Sequence, residues 1–460
     1  MAQAGSSGGT SKLVYFFGAL GGLLFGYDTG KIAGAIIFVQ ADLQLTAFLE
    51  GLVVSSLLIG AAIGAGTCGP LSDRLGRRRV ILIAALIFAG TAIGEALSPN
   101  AATLIFMRLI GGLAVGAASL TVPLYLSEMA PARIRGAIAS LNQLMIVIGI
   151  LSAFIVNYTL ADTESWRWMF GAAFFPAMIL LVGMIFMPET PRWLVLQDRE
   201  EEAREVLRRT RPESEIDHEM AEIERIDNLE EEEGGGLREL LRATWIRPAL
   251  VVAIGLAVFQ QIVGINTIIY YAPTTLTNVG FEDSAAILAN VGIGIVNVLL
   301  TLVAIYLIDR IGRKPLLLGG LVGMVASLTV LGVSTLSLPE PASPTDPVAI
   351  ITLVCLGLFI ASFAATWGPV VWVMLPEILP LKLRGTAMGV AIILHWLANF
   401  LVSLTFPILL DTVGLGLLFL GYAGIGVLAF VFVRALVTET KGRSLEEIET
   451  DLREKVLGYE

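Results

Sequence analysis

The sequence predicts an all-α polytopic membrane protein with twelve transmembrane helices in two six-helix repeats and additional cytoplasmic helices. Three observations predict this fold class. Of the 460 residues, 56% are hydrophobic and only 15% are charged, with a mean hydropathy of +0.80, whereas soluble domains carry about 25% charged residues. Apolar runs of at least about 18 residues, enough to cross a bilayer, occur twelve times. Three short motifs of the first half recur in the same order in the second.

The twelve apolar runs fall into two groups of six, separated by one long charged connection. We place the spans at 14–38, 50–72, 79–97, 101–126, 137–158, 167–187, 248–277, 285–308, 314–336, 348–376, 382–409 and 413–436. The expected organisation is an N-terminal six-helix bundle (1–187), a cytoplasmic helical linker (188–247), a C-terminal six-helix bundle (248–436) and a cytoplasmic C-terminal helix (437–460).

The distribution of charge sets the expected orientation. Basic residues, such as Arg74 and Arg310, cluster in connections that follow even-numbered spans. Connections that follow odd-numbered spans carry acids instead, such as Asp42 and Glu282. Because basic loops stay on the cytoplasmic side, we expect a multi-pass protein of the cell membrane with both termini in the cytoplasm.

The charged connection between the halves carries apolar residues at helical spacing, including Ala203, Val206 and Leu207. This spacing favours short amphipathic helices that lie under the membrane domain, and a disordered linker is the alternative. In the tail, Ser444-Leu445-Glu446-Glu447 is typical of a capping box that opens a last helix.

Composition argues against several other classes of protein. A net charge of −10 disfavours nucleic-acid binding. Cys68 and Cys355 lie in apolar runs and form neither a disulfide framework nor a metal motif. The sequence shows no nucleophile–base arrangement and no phosphate-binding loop, so we expect no enzyme activity, no cofactor and no metal. The expected partners are a small ligand, protons and the lipid bilayer, and the expected state is a monomer.

The stretch 259–271 is the strongest candidate for a binding site. It lies inside an apolar run, yet it carries Gln260, Gln261 and Asn266. Amides in hydrocarbon require partners or a cavity, and a carboxamide suits a neutral polyhydroxylated ligand because it both donates and accepts hydrogen bonds. On a regular helix Gln261 and Asn266 would lie about 140° apart, so we expect Gly264 to break the helix and let the amides converge. The alternative is that these amides only hold neighbouring helices together.

Three motifs form an internal repeat. Asp73-Arg74-Leu75-Gly76-Arg77-Arg78 recurs as Asp309-Arg310-Ile311-Gly312-Arg313-Lys314. The segment 128–136 recurs at 377–385, and Pro188-Glu189-Thr190 recurs loosely as Thr438-Glu439-Thr440. A parallel repeat of six-span halves is a transporter architecture in which one half rocks against the other around a midplane site.

The repeated acids and arginines are expected to form ion pairs that tie helix ends together on the cytoplasmic face and break when that face opens. These gate candidates are Asp73, Arg77, Glu128, Arg135, Glu189, Asp309, Arg313, Glu377, Arg384 and Glu439. The alternative is that the basic loops only set topology.

Span 1 combines five glycines spaced four apart, from Gly18 to Gly34, with a carboxylate, Asp28. The glycines permit close helix approach. A carboxylate at membrane depth is a functional-site candidate, with proton transfer as the leading role. Arg108 in span 4 lies at a depth that differs from that of Asp28 by only about 5 Å, at ~1.5 Å per residue, and is the expected partner. A purely structural pair is the alternative.

Four motifs together resemble the sugar porter family of the major facilitator superfamily, over essentially the whole chain. They are Asp-Arg-x-Gly-Arg-Arg at 73–78, Pro-Glu-Thr-Pro-Arg-Trp at 188–193, Gln-Gln-x-x-Gly-Ile-Asn at 260–266 and Trp-Gly-Pro-Val-Val-Trp at 367–372. The resemblance is to prokaryotic proton-coupled glucose or xylose transporters and to animal facilitative glucose transporters, and it implies the major facilitator fold.

The resemblance also implies roles for residues. It implies a hexose site lined by Gln143, Gln260, Gln261, Asn266, Asn297 and Trp372. It implies outer gating by Tyr270 and Tyr271 and proton coupling through Asp28 and Arg108. The prolines around Trp372 predict that span 10 is broken near the ligand, and an indole can stack on sugar C–H groups; ordinary packing of Trp372 is the alternative.

Two residues depart from the family pattern. Lys31 stands one turn after Asp28, where relatives have an apolar residue. It either pairs with Asp28, which favours the ionised carboxylate and impairs proton uptake, or it snorkels to the outer interface. His395, in span 11, replaces an amide that contacts sugar in relatives; it either hydrogen-bonds the sugar or titrates near neutral pH.

The sequence therefore predicts a proton-coupled monosaccharide symporter, with D-glucose as the expected substrate. A passive uniporter is the first alternative, because of Lys31. A membrane sugar sensor is the second, and it is disfavoured because only about twenty residues follow span 12.

Overall fold

A computed structural model describes residues 7–131, 134–233, 237–242, 244–339, 341, 343–380 and 383–442. These residues are mostly helical and contain no strand. The first half contains α1 (Ser7–Leu43), α2 (Ala47–Leu75), α3 (Arg77–Ala96), α4 (Ala101–Met129), α5 (Arg135–Ala161), α6 (Trp166–Gly171) and α7 (Phe174–Ile185). Short helices follow: α8 (Pro191–Val195), α9 (Glu200–Thr210), α10 (Glu213–Glu233) and α11 (Leu237–Arg242). The second half contains α12 (Arg247–Ile262), α13 (Ile265–Thr277), α14 (Asp283–Ile311), α15 (Arg313–Ser337), α16 (Pro347–Ala364), α17 (Trp367–Ile378) and α18 (Arg384–Leu436).

The described residues form eleven helical segments that are long and apolar enough to cross a membrane. The last of them, α18, spans 53 residues and covers two of the predicted spans. Gly414, the second residue of the later span (413–436), is not helical, with φ 78° and ψ 167°, and divides α18 into two helices. Each of the twelve predicted spans therefore has a counterpart, and the predicted fold class is confirmed.

Span 7 is broken at the predicted glycine. Helix α12 ends at Ile262 and α13 begins at Ile265, and Gly264 between them has φ 94° and ψ 17°. Only glycine adopts this left-handed conformation without a steric penalty from a Cβ atom. The break predicted from the sequence is confirmed.

Span 10 is also broken, but earlier than the sequence suggests. Helix α16 ends at Ala364 and α17 begins at Trp367. Pro369 accounts for this position, because a proline ring clashes with the carbonyl four residues before it, which here is that of Ala365. Pro376 lies inside α17 and does not interrupt it.

Helices within each half pack closely. In the first half α1 packs on α5, and α2 packs on α4. A Cβ atom at Gly26 would lie 1.8 Å from the backbone oxygen of Ile146, so the predicted glycine stripe does bring α1 against α5. The two halves meet where α2 contacts α18, α5 contacts α14 and α1 contacts α13.

The connection between the halves contains helices α8 to α11 in its described residues. Ala203, Val206 and Leu207 of α9 are buried, as expected for the apolar face of an amphipathic helix. The buried guanidinium of Arg211 binds Glu219 at 2.5 and 2.7 Å and donates to the backbone oxygen of Met129 at 2.9 Å. This contact ties the connecting helices to the end of α4. The predicted capping box and last helix lie outside the described residues.

The Gly264 break predicts a sharp mutational effect. Gly264→Val should cost roughly 1–2 kcal/mol of stability, because the left-handed backbone becomes strained, and should weaken ligand binding by straightening the helix. Gly292→Ala is the control, because a Cβ there meets nothing within 4 Å. Thermal unfolding in detergent and ligand binding measure both effects. Unchanged affinity and stability in Gly264→Val would contradict this interpretation.

Candidate functional site

The helix break brings two of the predicted amides together. Gln261 lies in the last turn of α12, and Asn266 lies in the first turn of α13. The Asn266 Nδ2 atom donates a hydrogen bond of 2.5 Å to Gln261 Oε1. On its other side, Gln261 Nε2 lies 3.3 and 3.2 Å from the two ring nitrogens of His395 on α18. His395 Nδ1 lies 3.3 Å from the backbone oxygen of Ala257. These contacts form one polar network, in which Gln261 and His395 are buried and Asn266 is half-buried.

Gln260 does not join this network, contrary to the expectation that all three amides converge. Its Nε2 atom donates to the backbone oxygens of Trp367 and Gly368, at 3.0 and 3.3 Å. Gln260 therefore links the break in span 7 to the break in span 10. Its Oε1 atom is buried and has no hydrogen-bond partner within the described part of the chain. A buried acceptor without a partner is costly, so this oxygen is available to a ligand hydroxyl.

Two indoles flank His395. The ring of Trp372 on α17 lies 5.2 Å from that of His395, and the ring of Trp396 lies 5.5 Å from it, centroid to centroid. Trp372 is 37% exposed, whereas His395 is buried, so the Trp372 indole faces open space rather than filling the core. Trp396 also contacts Phe25 of α1, and its Nε1 atom is buried without a partner among the described residues.

Trp396 was missed by the sequence reasoning, although an indole beside a polar residue in an apolar span is a recognisable signal. Of the remaining candidates, Gln143 is half-buried on α5. Asn297 is buried on α14.

The candidate proton residue, Asp28, has a different partner from the one expected. Lys31 forms an ion pair with Asp28 Oδ1, and its Nζ atom lies 2.5 Å from Glu95 Oε2 on α3. All three side chains are at most 4% exposed. Of the two alternatives for Lys31, the structure has the ion pair; the side chain does not snorkel to the surface.

Arg108 is buried nearby but does not contact Asp28, which corrects the expected pair. Its Nε atom donates to the backbone oxygen of Val53 at 2.6 Å, and its Nη2 atom donates to that of Val54 at 3.3 Å. Lys31 occupies the position beside Asp28 because it lies one turn away on the same helix, while α2 carbonyls hold the guanidinium. Glu95 was missed, although a carboxylate inside predicted span 3 was a usable signal.

The first set of gate candidates forms a cluster at the ends of α2, α3 and α4. Arg77 pairs with Glu128 at 3.2 Å and with Asp73 at 3.1 Å, and it donates to the backbone oxygen of Ser72 at 3.2 Å. Glu189 accepts from the backbone N–H of Arg78 at 3.1 Å. A Cβ at Gly76, where φ is 95°, would lie 2.3 Å from the Glu189 carboxylate, so only glycine fits here.

The second half repeats this geometry. Arg313 pairs with Glu377 at 3.0 Å and donates to the backbone oxygen of Ile308 at 3.2 Å. Glu439 accepts from the backbone N–H groups of Arg313 and Lys314, each at 3.0 Å. Gly312 has φ 105° and packs on Glu439 as Gly76 packs on Glu189. The motifs that recur in the sequence therefore make equivalent contacts in the two halves.

Each of these ion pairs joins helices of one half, so it would persist while rigid halves rock against each other. The gating role of the clusters stays a prediction. Arg384 donates to the backbone oxygen of Leu379 at 3.3 and 3.2 Å. The side chains of Arg135 and Asp309 lie outside the described residues.

The two candidate outer-gate tyrosines are buried on α13 and anchored to α18. Tyr271 donates to the backbone oxygen of Ser403 at 3.0 Å and stacks on Phe406. Tyr270 is buried, and α13, which carries it, packs against α1 of the first half.

Residues 14–452 match the model of the family described as "Sugar (and other) transporter". The chain belongs to this sugar transporter family. Its relatives are transporters rather than enzymes. The family assignment and the apolar helices together make it a multi-pass membrane protein.

Several named relatives of this sugar transporter cover nearly the whole chain. It is 49% identical to the "Glucose transporter GlcP" of Staphylococcus epidermidis, over 96% of this chain and 97% of that protein. It is 48% identical to the "D-xylose transporter" of Levilactobacillus brevis, over 97% and 96%. A structure of the xylose transporter XylE from E. coli, in a partially occluded inward open conformation, matches with a TM-score of 0.83 and 33% identity, over 95% of this chain and 100% of that one.

If this cluster binds the sugar, Gln261→Ala should weaken sugar binding about tenfold or more, because it leaves Asn266 and His395 without their shared partner, at roughly 1–3 kcal/mol. Gln40→Ala, at an exposed amide at the end of α1, is the control. Equilibrium sugar binding to purified protein measures the effect, and normal affinity in Gln261→Ala would exclude this site.

The Glu439 cluster predicts acid sensitivity. Burial alone raises the pKa of Glu439, but the backbone N–H groups of Lys441, Arg313, Lys314 and Thr440 outweigh it and lower the pKa below the ordinary 4.5. A carboxylate with a lowered folded-state pKa stabilises the fold above its unfolded pKa, and this stabilisation is lost as the pH falls through the folded value.

The melting temperature in detergent should therefore drop below about pH 4.5, and it should drop less in Glu439→Gln. The exposed Glu222→Gln serves as control. An identical acid response in wild type and Glu439→Gln would refute this role for the carboxylate.

Proposed function

We propose that the protein is a proton-coupled monosaccharide symporter, with D-glucose as its substrate, and that it works by alternating access. One observation carries the proposal. A carboxylate, Asp28, is buried in the first half with its Oδ2 atom unpartnered within the described chain, while an uncharged amide-and-indole cluster occupies the second half. The first is suited to binding a proton and the second to binding a neutral sugar.

The chemistry of the second-half cluster supports a sugar ligand. Gln260 Oε1 offers an acceptor and Trp396 Nε1 offers a donor, and both are buried without partners in the described part of the chain. The exposed face of Trp372 can stack on sugar C–H groups. The choice of glucose rests on the likeness to the glucose transporter of Staphylococcus epidermidis.

Two relatives support proton coupling. The "Arabinose-proton symporter" of Bacillus subtilis is 39% identical over 94% of this chain and 92% of that protein. A structure of the proton:xylose symporter XylE, bound to 6-bromo-6-deoxy-D-glucose, matches with a TM-score of 0.80 and 34% identity, over 97% of this chain and 100% of that one. In this chain Asp28 is the carboxylate that would carry the proton.

Packing between the halves supports alternating access. A Cβ at Gly51 of α2 would lie 2.3 Å from the backbone oxygen of Leu404 on α18, and one at Gly294 of α14 would lie 2.9 Å from Phe154 on α5. Both contacts lie on the side that the charge distribution predicts to be outside. The proposed monomer, with both termini in the cytoplasm, would open this side by rocking its halves apart.

In the proposed cycle, Asp28 takes a proton from the outside and sugar binds the amide cluster. The halves then rock, and proton and sugar leave to the inside. One proton enters with each sugar.

A passive uniporter is the second candidate, and one observation favours it. The ion pair between Lys31 and Asp28 stabilises the ionised carboxylate, which opposes proton uptake.

Asp28→Asn separates the two candidates. A symporter should lose proton-driven sugar accumulation in liposomes, because the variant lacks the carboxylate that carries the proton in the proposed cycle, while sugar exchange without a gradient stays measurable. Asp162→Asn, at an exposed carboxylate after α5, is the control. Full pH-driven accumulation in Asp28→Asn would overturn the coupling role, and a wild type that equilibrates sugar without proton flux would establish the uniporter.

A further inference from the structure

We propose that Glu95 is a further residue of the proton-coupling site, because it balances the charge of Lys31 and so allows Asp28 to take up a proton. This inference rests on the proposed function. It assigns a role to Glu95 and explains how Lys31, which departs from the family pattern, is compatible with proton coupling.

The geometry places one ammonium between two carboxylates. Lys31 Nζ pairs with Asp28 Oδ1 and lies 2.5 Å from Glu95 Oε2. Glu95 is fully buried and comes from a different helix, α3. Asp28 Oδ2 and Glu95 Oε1 are both buried and have no hydrogen-bond partner in the described residues. Each carboxylate thus has one oxygen held by Lys31 and one oxygen free to bind a proton.

Of the other side chains named here around Asp28, Lys31 and Glu95, one is charged, that of Arg108. Arg108, from α4, is buried, and its Nη1 atom has no partner within the described chain. Arg108 and Lys31 lie over the same Phe170 ring. Tyr27 precedes Asp28 on α1, and Tyr270 is buried on α13, which packs against α1. Asn157 of α5 donates to the backbone oxygen of Lys31 at 3.0 Å. None of these four groups is charged at neutral pH.

A charge count shows what Glu95 does. With Asp28 and Glu95 ionised, the two carboxylates balance Lys31 and Arg108, and the cluster is neutral. Binding a proton to Asp28 raises the charge from zero to +1. Without Glu95 the same step would raise the charge from +1 to +2, which is unfavourable in a buried site. Without both Lys31 and Glu95 the step would again run from zero to +1.

Lys31 therefore does not abolish coupling in this chain, because Glu95 offsets it. When Asp28 Oδ2 forms its O–H bond with a proton from outside, Lys31 keeps an ionised partner in Glu95. The same proton leaves Asp28 toward the inside, and no other bond changes. The ion pair that favours a passive uniporter is thus compatible with symport.

Three variants, assayed in liposomes, test whether Glu95 balances the charge of Lys31: Glu95→Gln, Lys31→Met and the double variant. Glu95→Gln should shift the pH dependence of sugar accumulation toward acid by more than about one pH unit, and Lys31→Met should shift it toward alkali. The double variant should return close to the wild-type profile. Glu282→Gln removes an exposed carboxylate and should change nothing. A purely structural role of the ion pair would not give shifts of opposite sign with mutual rescue.

The inference is overturned if the wild type accumulates sugar and Glu95→Gln shares its pH profile. If Glu95→Gln alone does not exchange sugar because it misfolds, Lys31→Met and the double variant decide, and a double variant that keeps the Lys31→Met profile overturns the inference. The proposed function fails in a different way, when the wild type exchanges sugar but accumulates none at any pH, and that result removes the inference as well.

Discussion

A charge or an unpaired amide inside a membrane protein must find its partner within the protein, because hydrocarbon offers none. This constraint explains the arrangement of the first half, where four charged side chains are buried close together: Asp28, Lys31, Glu95 and Arg108. Lys31 forms ion pairs with both carboxylates. It also explains the second half. The helices break at Gly264 and before Trp367, and the Gln260 amide donates to two backbone carbonyls at the start of α17. Both sites therefore follow from one requirement, met by ion pairs in one half and by amides in the other.

The two sites are connected by a short series of contacts. Phe25 lies one turn before Asp28, and its ring packs edge-on against Trp396, at 5.6 Å between centroids. Trp396 contacts His395, and His395 contacts Gln261. Helix α13, which carries Tyr270 four residues after Asn266, also packs against α1. Three side chains, those of Phe25, Trp396 and His395, thus lead from the turn before Asp28 to Gln261, across the interface between the halves.

Features encoded by backbone conformation and by repetition could be predicted from the sequence. Gly264 stands between polar residues in an apolar span, and the two gate clusters follow repeated motifs. Features that depend on which side chain reaches which neighbour could not be predicted. Spacing along α1 shows that Lys31 can reach Asp28, but the contact with Glu95 depends on how α3 packs. Likewise, Arg108 binds carbonyls of α2 instead of Asp28, and Gln260 turns to α17 because the break in span 10 lies before Trp367. Gly and Pro act locally, whereas these contacts are set by tertiary packing.

In the proposed symport, a proton bound in the first half moves together with a sugar bound in the second. The most direct measurement is the simultaneous flux of protons and sugar in liposomes that contain the wild-type protein, with a pH-sensitive dye inside and labelled glucose outside. Coupling through one carboxylate predicts that sugar addition drives proton entry at one proton for each sugar, and that an imposed proton gradient concentrates sugar. Sugar entry that only equalises the two sides, with no change in internal pH, would contradict the account.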